Sequence, residues 1–249
     1  MAKPKKVNKQ TYDLTIIVPV YNEEENIDRL EQTFKEYFDQ SPIKSKVLFV
    51  DDGSTDESFE KIKKLSDKDS RFEYLKFDKN YGLSSAIKAG IDHISTPWTG
   101  YIDADLQTTP FDFDKLWEFI KDYDLVVGYR GDRKDTLNKR IQSKIANAIR
   151  RALINDGIID TGCPLKIIKT DVAKKIPFFD GMHRFIPALS KLQGAKIKQV
   201  NVRHFPRLHG ASKFNIFNRS IKPLQDAFAY RWMKSRYINY GIEDKNTGI

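Results

Sequence analysis

The sequence predicts a doubly wound α/β fold with a mostly parallel sheet flanked by helices. Short apolar runs alternate with helical stretches from Asp13 to about Gly128, the pattern of parallel strands joined by crossover helices. Residues 14–20 form one apolar run, as expected for a strand buried on both faces. Polar motifs follow three of the predicted strands directly. In such sheets, ligands bind beyond the carboxyl ends of the strands.

Each element of this first half has a local reason. Apolar residues recur at helical spacing through residues 24–38, which predicts an amphipathic helix. Residues 54–57 have the form of a capping box that opens the next helix. Residues 83–93 also favour a helix. The predicted strands are residues 14–20, 47–50, 72–77, 98–102 and 125–127.

The second half of the chain is more basic and less regular. Its predicted elements are a basic helix at 135–153, a loop at 160–164, a strand at 166–168, a helix at 183–192, a strand at 196–202 and an amphipathic helical stretch at 214–240. The expected organisation is a flexible basic N-terminus at 1–11, one α/β domain at 12–213 and a basic, amphipathic C-terminal helical tail at 214–249.

Composition narrows the classes of function. The chain has 43 Lys and Arg residues against 34 Asp and Glu, and its net charge of +9 favours an anionic partner: nucleic acid, a membrane surface or a phosphate-bearing substrate. Cys163 is the single cysteine, so we expect no intrachain disulfide and a reducing compartment. The Lys-rich N-terminus does not resemble a signal peptide. No apolar run approaches the roughly 20 residues that span a bilayer.

The Asp-Ala-Asp-Leu-Gln motif at 103–107 is the strongest candidate for a metal site. Asp103 and Asp105 lie two residues apart, and on an extended segment they would point the same way. Gln107 would continue that face with an amide oxygen. An all-oxygen cluster at a strand end suits Mg²⁺ or Mn²⁺ that also holds a diphosphate. For this motif alone, a polar turn is the alternative interpretation.

Three further motifs could contact a nucleotide. Tyr21 could stack on a base, and Glu23 could accept a hydrogen bond from a base or ribose. The Asp-Asp-Gly-Ser motif at 51–54 places two carboxylates at the second strand end, where Gly53 permits a tight turn. Residues 80–82 could bring backbone close to a ligand. Each motif taken alone is equally compatible with a turn or a helix start.

Together, these motifs resemble the family 2 inverting glycosyltransferases, which have the GT-A fold. The segments that carry the resemblance are residues 19–23, 50–56, 80–82 with Ala86, and 103–107. Residues 128–130 and 209–213 resemble the narrower polyprenyl-phosphate branch, which includes dolichol-phosphate mannosyltransferases and undecaprenyl-phosphate glycosyltransferases. The resemblance covers residues 13–213. Many bacterial members carry C-terminal transmembrane helices, whereas this sequence ends in an amphipathic segment.

The resemblance implies a role for each matching residue. The residues expected to frame the nucleotide are Pro19, Tyr21, Glu23, Asp52 and Asp103. Those expected to hold Mg²⁺ or Mn²⁺ with the diphosphate are Asp103, Asp105 and Gln107. Those expected at the reaction centre are Asp105, Asp160 and Arg130. Those expected to bind the acceptor phosphate are Arg130, Lys139, Arg140 and Ser143. Those expected on a mobile late loop are Arg203, Arg207, Ser212 and Lys213.

The chemistry implied by the resemblance needs no strong general base. A departing nucleoside diphosphate requires charge neutralisation, which a divalent ion and nearby Lys or Arg supply. A phosphate monoester acceptor is already ionised near neutral pH. We expect His93 and Cys163 to be structural, whereas the sequence leaves open the roles of His183, His204 and His209.

Two basic segments have more than one interpretation. The helix at 135–153 is either a solvated face or a phosphate-facing surface beside Arg130. The stretch at 214–240 mixes aromatic with cationic residues, which suggests a helix lying on a membrane surface. Packing of that helix on its own domain, or on a second copy of the chain, is the alternative.

The expected function is metal-dependent transfer of a sugar from a UDP- or GDP-sugar to a polyprenyl phosphate with inversion. The protein would act as a peripheral protein on the cytoplasmic membrane face, alone, as a homo-oligomer or with a membrane-anchoring partner. The alternatives are transfer to a saccharide hydroxyl and a membrane-associated scaffold that binds nucleotide-sugars. Nucleic-acid binding is disfavoured because the acidic strand-end motifs would repel phosphates. The sequence has neither the dinucleotide-binding glycine pattern nor a Walker A motif.

Overall fold

The computed structural model describes residues 11–131, 153–206 and 216–238, and for residues 216–223 it describes the backbone only. In these residues a seven-stranded sheet has the order β3-β2-β1-β4-β6-β5-β7. The strands are β1 (Leu14–Val20), β2 (Ser45–Asp51), β3 (Phe72–Lys76), β4 (Trp98–Tyr101), β5 (Leu125–Tyr129), β6 (Lys166–Lys169) and β7 (Ile197–Asn201). All neighbours pair in parallel except β6, which is antiparallel to β4 and β5.

Helices cover both faces of the sheet, which confirms the predicted fold class. They are α1 (Glu24–Gln40), α2 (Ser58–Lys68), α3 (Leu83–His93), α4 (Phe113–Trp117), α5 (Thr170–Lys175), α6 (Ile186–Leu192) and α7 (Ile216–Arg236). Short 3₁₀ turns at Pro110–Asp112 and Met182–Arg184 precede α4 and α6.

Strand β1 lies in the middle of the sheet and supplies both layers of the core. Leu14, Ile16 and Val18 face the layer that contains α1, α2 and α4, and all three are fully buried. Ile17 faces the opposite layer, which contains α3, α5, α6 and α7. Burial on both faces explains why this strand reads as one apolar run, since each such side chain contributes about 1.5–3 kcal/mol.

The capping box predicted at 54–57 is wrong. Helix α2 begins at Ser58, and its N-cap residue, Glu57, makes no side-chain capping hydrogen bond. The Oγ of Ser54 instead accepts a hydrogen bond at 3.0 Å from the amide of Asn22, in the loop after β1. Asp56 accepts one at 3.0 Å from the amide of Ser58. Ser54 therefore joins two loops, while Asp56 holds the first amide of α2.

Other predicted bounds shift by a few residues. The strand predicted at 98–102 ends at Tyr101, and the helix predicted at 183–192 is divided into a 3₁₀ turn and α6, which has Pro187 in its first turn. The basic helix predicted at 135–153 lies almost wholly outside the described residues. Among the helices that the structure describes, none is long and apolar enough to cross a bilayer.

Candidate active site

Several loops meet at one edge of the sheet. Three of them follow the carboxyl ends of β1, β2 and β4, which are near neighbours in the sheet. Arg130 follows β5 at the same edge. The loop that contains Asp160 precedes β6, and because β6 runs antiparallel, its start lies at that edge as well. The structure therefore brings together the strand-end motifs that the sequence singled out.

Hydrogen bonds interlock the loops after β1 and β2. The side chain of Asn22, whose φ of 52° is in the left-handed region, accepts a hydrogen bond from the amide of Thr55 at 2.8 Å. The amide of Glu23 donates to the Oγ of Ser58 at 2.8 Å. The carboxylate of Glu23 also accepts a hydrogen bond from Asn26 at 2.6 Å. This network fixes the backbone that carries Tyr21.

Asp52 holds a third loop against these two. Its carboxylate accepts hydrogen bonds from the amides of Tyr81, at 2.7 Å, and Gly82, at 2.9 Å. Asp52 is almost fully buried, and burial raises the pKa of its carboxyl group. The neighbouring Gly53 has a φ of 71° and lies so close to residues 79–80 that no side chain fits between them. Asp52 thus holds residues 80–82 in place at the predicted nucleotide site, and Tyr81 beside it is half-exposed.

The carboxylate loop, residues 103–107, is not the extended segment that the sequence predicted. The chain turns at Ala104 and Asp105, and Leu106 has a φ of 49°. Ile102, Ala104 and Leu106 are all buried in the same core cluster. The carboxylate of Asp105 accepts a hydrogen bond from the amide of Gln107 at 3.1 Å. The predicted extended conformation is therefore wrong, while the negative charge of Asp105 acts on Asp103, which makes the two carboxylates close neighbours.

The electrostatics of Asp103 indicate a site that would accept a cation. Burial raises the pKa of its carboxyl group, and the negative charge of Asp105 raises it further. A 2.6 Å hydrogen bond from the hydroxyl of Tyr101 opposes this shift, as do the charges of Lys166 and Arg130. A divalent ion would relieve the repulsion between the two carboxylates.

The donor set of this loop fits Mg²⁺ or Mn²⁺. Two carboxylates and the amide oxygen of Gln107 are hard oxygen donors, and three such ligands leave coordination positions for diphosphate oxygens and water. Among the residues that the structure describes, no group of three His, Cys, Asp or Glu side chains is placed to hold a metal.

Arg130 and Asp160 form a two-point ion pair. The Nε of Arg130 lies 2.7 Å from one oxygen of the Asp160 carboxylate, and its Nη2 lies 3.0 Å from the other. Both side chains are mostly buried, at 9% and 15% exposure. The carboxylate also accepts a hydrogen bond at 3.2 Å from the amide of Gly162. The pair fixes the orientation of the guanidinium group beside the carboxylate loop.

No sequence motif singled out Lys166, which the structure places in the same cluster. It is the first residue of β6, pairs with Tyr101 across the sheet, and is 4% exposed. Its ammonium group donates to the carbonyl of Cys163 and lies 5.3 Å from the centre of the Tyr101 ring. A lysine among the apolar residues of a buried strand was the available signal, because such a charge needs nearby partners.

The segment after β7 is anchored to the carboxylate loop. The carbonyl of Gln107 accepts a hydrogen bond from the amide of Phe205 at 2.8 Å, and the Nδ1 of His204 lies 3.1 Å from that oxygen. Arg203 contacts the buried carboxylate of Asp112 through its amide, at 2.6 Å, and its Nε, at 2.9 Å. These contacts fix Arg203 at the start of the segment that follows β7. The sequence had predicted that Arg203 lies on a mobile loop.

Burial shifts the pKa of His183, whose role the sequence left open, and of Cys163. The Nδ1 of His183 lies 3.1 Å from the Oγ of Ser84, and burial lowers the pKa of this histidine to about 3. Cys163 is buried and free, and burial raises the pKa of its thiol.

The predicted site residues that lie outside the described residues are Lys139, Arg140, Ser143, Arg207, Ser212 and Lys213.

Residues 15–177 match the family model described as Glycosyl transferase family 2. The chain belongs to glycosyl transferase family 2. The matched residues include the carboxylate loop and the loops that carry Asp52, Arg130 and Asp160. The match confirms the family expected from the sequence motifs.

Two curated relatives extend this comparison. A dodecaprenyl-phosphate galacturonate synthase from Rhizobium johnstonii is 30% identical over 87% of this chain and 66% of its own length. An undecaprenyl-phosphate 4-deoxy-4-formamido-L-arabinose transferase from Edwardsiella ictaluri is 30% identical over 82% of this chain and 63% of its own length. The chain therefore spans a little under two thirds of the length of these relatives.

Solved structures show the same fold. A mannosyltransferase from Pyrobaculum calidifontis, in complex with GDP-Man and Mn²⁺, has a TM-score of 0.63 at 16% identity and covers 94% of this chain and 67% of its own. A glucosyl-3-phosphoglycerate synthase from Mycobacterium tuberculosis, in complex with Mn²⁺, UDP and its product, has a TM-score of 0.66 at 14% identity, over 93% of this chain and 82% of its own.

Proposed function

We propose that this protein transfers a sugar from a nucleotide-sugar to a polyprenyl phosphate, with inversion and with a divalent metal. The observation that carries the proposal is the meeting of the carboxylate loop with the Arg130–Asp160 ion pair at one edge of the sheet. The names of the two curated relatives support the acceptor class, since both relatives act on polyprenyl phosphates.

The nucleotide half of the site comprises the loops after β1, β2 and β3. Tyr21 and Tyr81 would contact the base, and Asp52 would act by holding residues 80–82 in place. Pro19, at the end of β1, and Glu23 frame the same pocket. The carboxylate loop lies on the other side of β1, where Asp103, Asp105 and Gln107 would hold Mg²⁺ or Mn²⁺ with the diphosphate. A bound metal would neutralise charge on the departing diphosphate.

The described residues favour a phosphate acceptor over a saccharide hydroxyl. A hydroxyl acceptor needs a general base, whereas an ionised phosphate monoester is itself the nucleophile. Asp160 is engaged by Arg130 through both oxygens, which makes it a poor proton acceptor. His183 has a pKa of about 3 because it is buried, so it too is a weak base. Arg130 would then receive the acceptor phosphate, with the predicted help of Lys139, Arg140 and Ser143.

The outer face of α7 is the surface proposed to lie on the membrane. Ala227 and Tyr230 are buried, and the hydroxyl of Tyr230 donates to the carbonyl of Ala188 at 3.3 Å, so one face of the helix packs on its own domain. The opposite face exposes Phe228 at 56% and Trp232 at 66%. Exposed cations, Arg231, Lys234 and Arg236, lie around them. Aromatic residues among cations suit the interface of an anionic bilayer.

The decisive experiment is a donor and acceptor panel. UDP- and GDP-sugars would be incubated with a short polyprenyl phosphate and either Mg²⁺ or Mn²⁺, and the sugar-lipid product measured by mass spectrometry. We expect product with the phosphorylated lipid and none with the matching polyprenol. Product formed with the polyprenol or a saccharide alone would contradict the proposed acceptor class.

A matched pair of variants ties the activity to this site. Asp105→Asn removes one proposed metal ligand. Asp39→Asn removes a carboxylate from the last turn of α1, at the opposite edge of the sheet. Turnover should be lost only in the first variant. Equal activity of the two variants would show that the reaction does not depend on the carboxylate loop.

A further inference from the structure

A buried cation lies behind the carboxylate loop. The ammonium group of Lys166 donates a hydrogen bond to the carbonyl of Cys163 and lies 5.3 Å from the centre of the Tyr101 ring. The hydroxyl of Tyr101 in turn donates to Asp103 at 2.6 Å. Lys166 is 4% exposed, so it cannot reach out to a ligand. Any effect on ligands must act through its charge and through the position of Tyr101.

Charged groups surround this ammonium group. Burial and the charge of Arg130 lower the pKa of Lys166, whereas the charges of Asp103 and Asp160 raise it and favour the ammonium form. Asp105 in turn acts on Asp103. The three carboxylates and two cations leave one net negative charge in the cluster. Without Lys166 the cluster would carry two, which attract a divalent cation more strongly and repel an anion more strongly.

We propose that Lys166 is a positioning residue whose fixed positive charge sets the ion affinities of this site. It weakens binding of the free metal and strengthens binding of the phosphate ligands. The inference rests on the proposed function, because it takes the metal and the acceptor phosphate as ligands of this cluster. It also has a consequence for the order of binding. The diphosphate adds negative charge beside the metal, so the metal binds tightly only together with the nucleotide, and both leave after transfer.

The test replaces Lys166 with methionine, which has a similar length and suits a buried position. Calorimetry would measure Mn²⁺ binding without nucleotide, and then binding of a short prenyl monophosphate with each protein saturated in Mn²⁺. At an effective dielectric constant near 20, removal of the charge should change each dissociation constant on the order of tenfold. We expect Mn²⁺ to bind more tightly and the prenyl phosphate to bind more weakly.

Opposite changes in the two affinities, for Mn²⁺ and for the prenyl phosphate, distinguish this electrostatic role of Lys166 from a structural one. A damaged fold would weaken both ligands, and a lysine that serves only packing would change neither, so either result overturns the proposal. Lys166→Arg, which keeps the charge, should stay close to the wild type. If Lys166→Met does not fold, Lys166→Gln removes the charge while keeping a donor for the carbonyl of Cys163.

The same measurements separate failure of this inference from failure of the proposed function. Asp105→Ala, introduced into the otherwise wild-type protein, should abolish Mn²⁺ binding. If that variant binds Mn²⁺ as well as the wild type does, the metal site itself is misplaced and the proposed function fails. If Asp105→Ala loses Mn²⁺ while Lys166→Met changes neither affinity, only the role of Lys166 is refuted.

Discussion

Replacing Gly53 with alanine should damage the nucleotide pocket without touching a ligand-binding side chain. The added methyl group would lie 2.4 Å from the carbonyl carbon of Lys79 and 2.7 Å from the amide nitrogen of Asn80. Both are backbone atoms, so no side chain can rotate away. The segment that carries Tyr81 must move, and its amide is one of those bound by Asp52.

The expected loss of stability has two parts. Gly53 has a φ of 71°, and an alanine in that conformation costs about 1 kcal/mol. Displacing the packed backbone adds about 1–3 kcal/mol. The free energy of unfolding should therefore fall by about 2–4 kcal/mol. Gly194 provides a matched control, because its φ of 79° is similar and nothing lies within 4 Å of an added methyl group. Gly194→Ala should lose only the first part.

Urea unfolding and calorimetry would test this reasoning together. Nucleotide affinity should fall on the order of tenfold in Gly53→Ala, since the displaced segment lines the proposed pocket. Mn²⁺ affinity should change little because the carboxylate loop lies on the other side of β1. Equal unfolding free energies for the Gly53 and Gly194 variants would refute the steric argument. An unchanged nucleotide affinity would show that residues 79–82 do not line the pocket.

Four further predictions follow from individual side chains. Asp105→Ala, like EDTA on the wild type, should abolish turnover and leave the melting temperature nearly unchanged; full activity in excess chelator would exclude a metal role. Asp52→Ala should weaken UDP or GDP binding, measured by calorimetry, because two buried amides lose their acceptor. Arg130→Met should lower the free energy of unfolding by about 3–5 kcal/mol and raise the acceptor KM; loss of donor affinity instead would assign Arg130 to the diphosphate. Phe228→Ser with Trp232→Ser should reduce sedimentation with anionic liposomes at least tenfold, since each ring contributes about 1.5–3 kcal/mol on burial; undiminished sedimentation would assign docking to another surface.

The sequence was most informative where structure depends on neighbouring residues. Strand β1 and helices α1 and α3 were predicted within two residues because apolar periodicity and burial carry the same information. The site could be located at the sheet edge because each polar motif follows a strand directly. The rule that ligands bind at the carboxyl ends of parallel strands then applies without knowledge of any contact.

The errors arise where a side chain is used by a distant part of the chain. Ser54 has the residue type of a helix cap, yet its hydroxyl is taken by Asn22, which is 32 residues away. The carboxylate loop turns at Ala104 and Asp105, with Leu106 in the left-handed region, and the local spacing of its residues does not show that turn.

Lys166 belongs to the same class of nonlocal effects. Its buried charge is tolerated because residues from β4, the carboxylate loop and the loop before β6 gather around it. Sequence motifs thus identify the groups proposed to touch a substrate, since those groups follow strands in a recognisable order. The groups that set the charge of the site come from strand pairing, which is why a lysine opposite Tyr101 became visible only in the folded sheet.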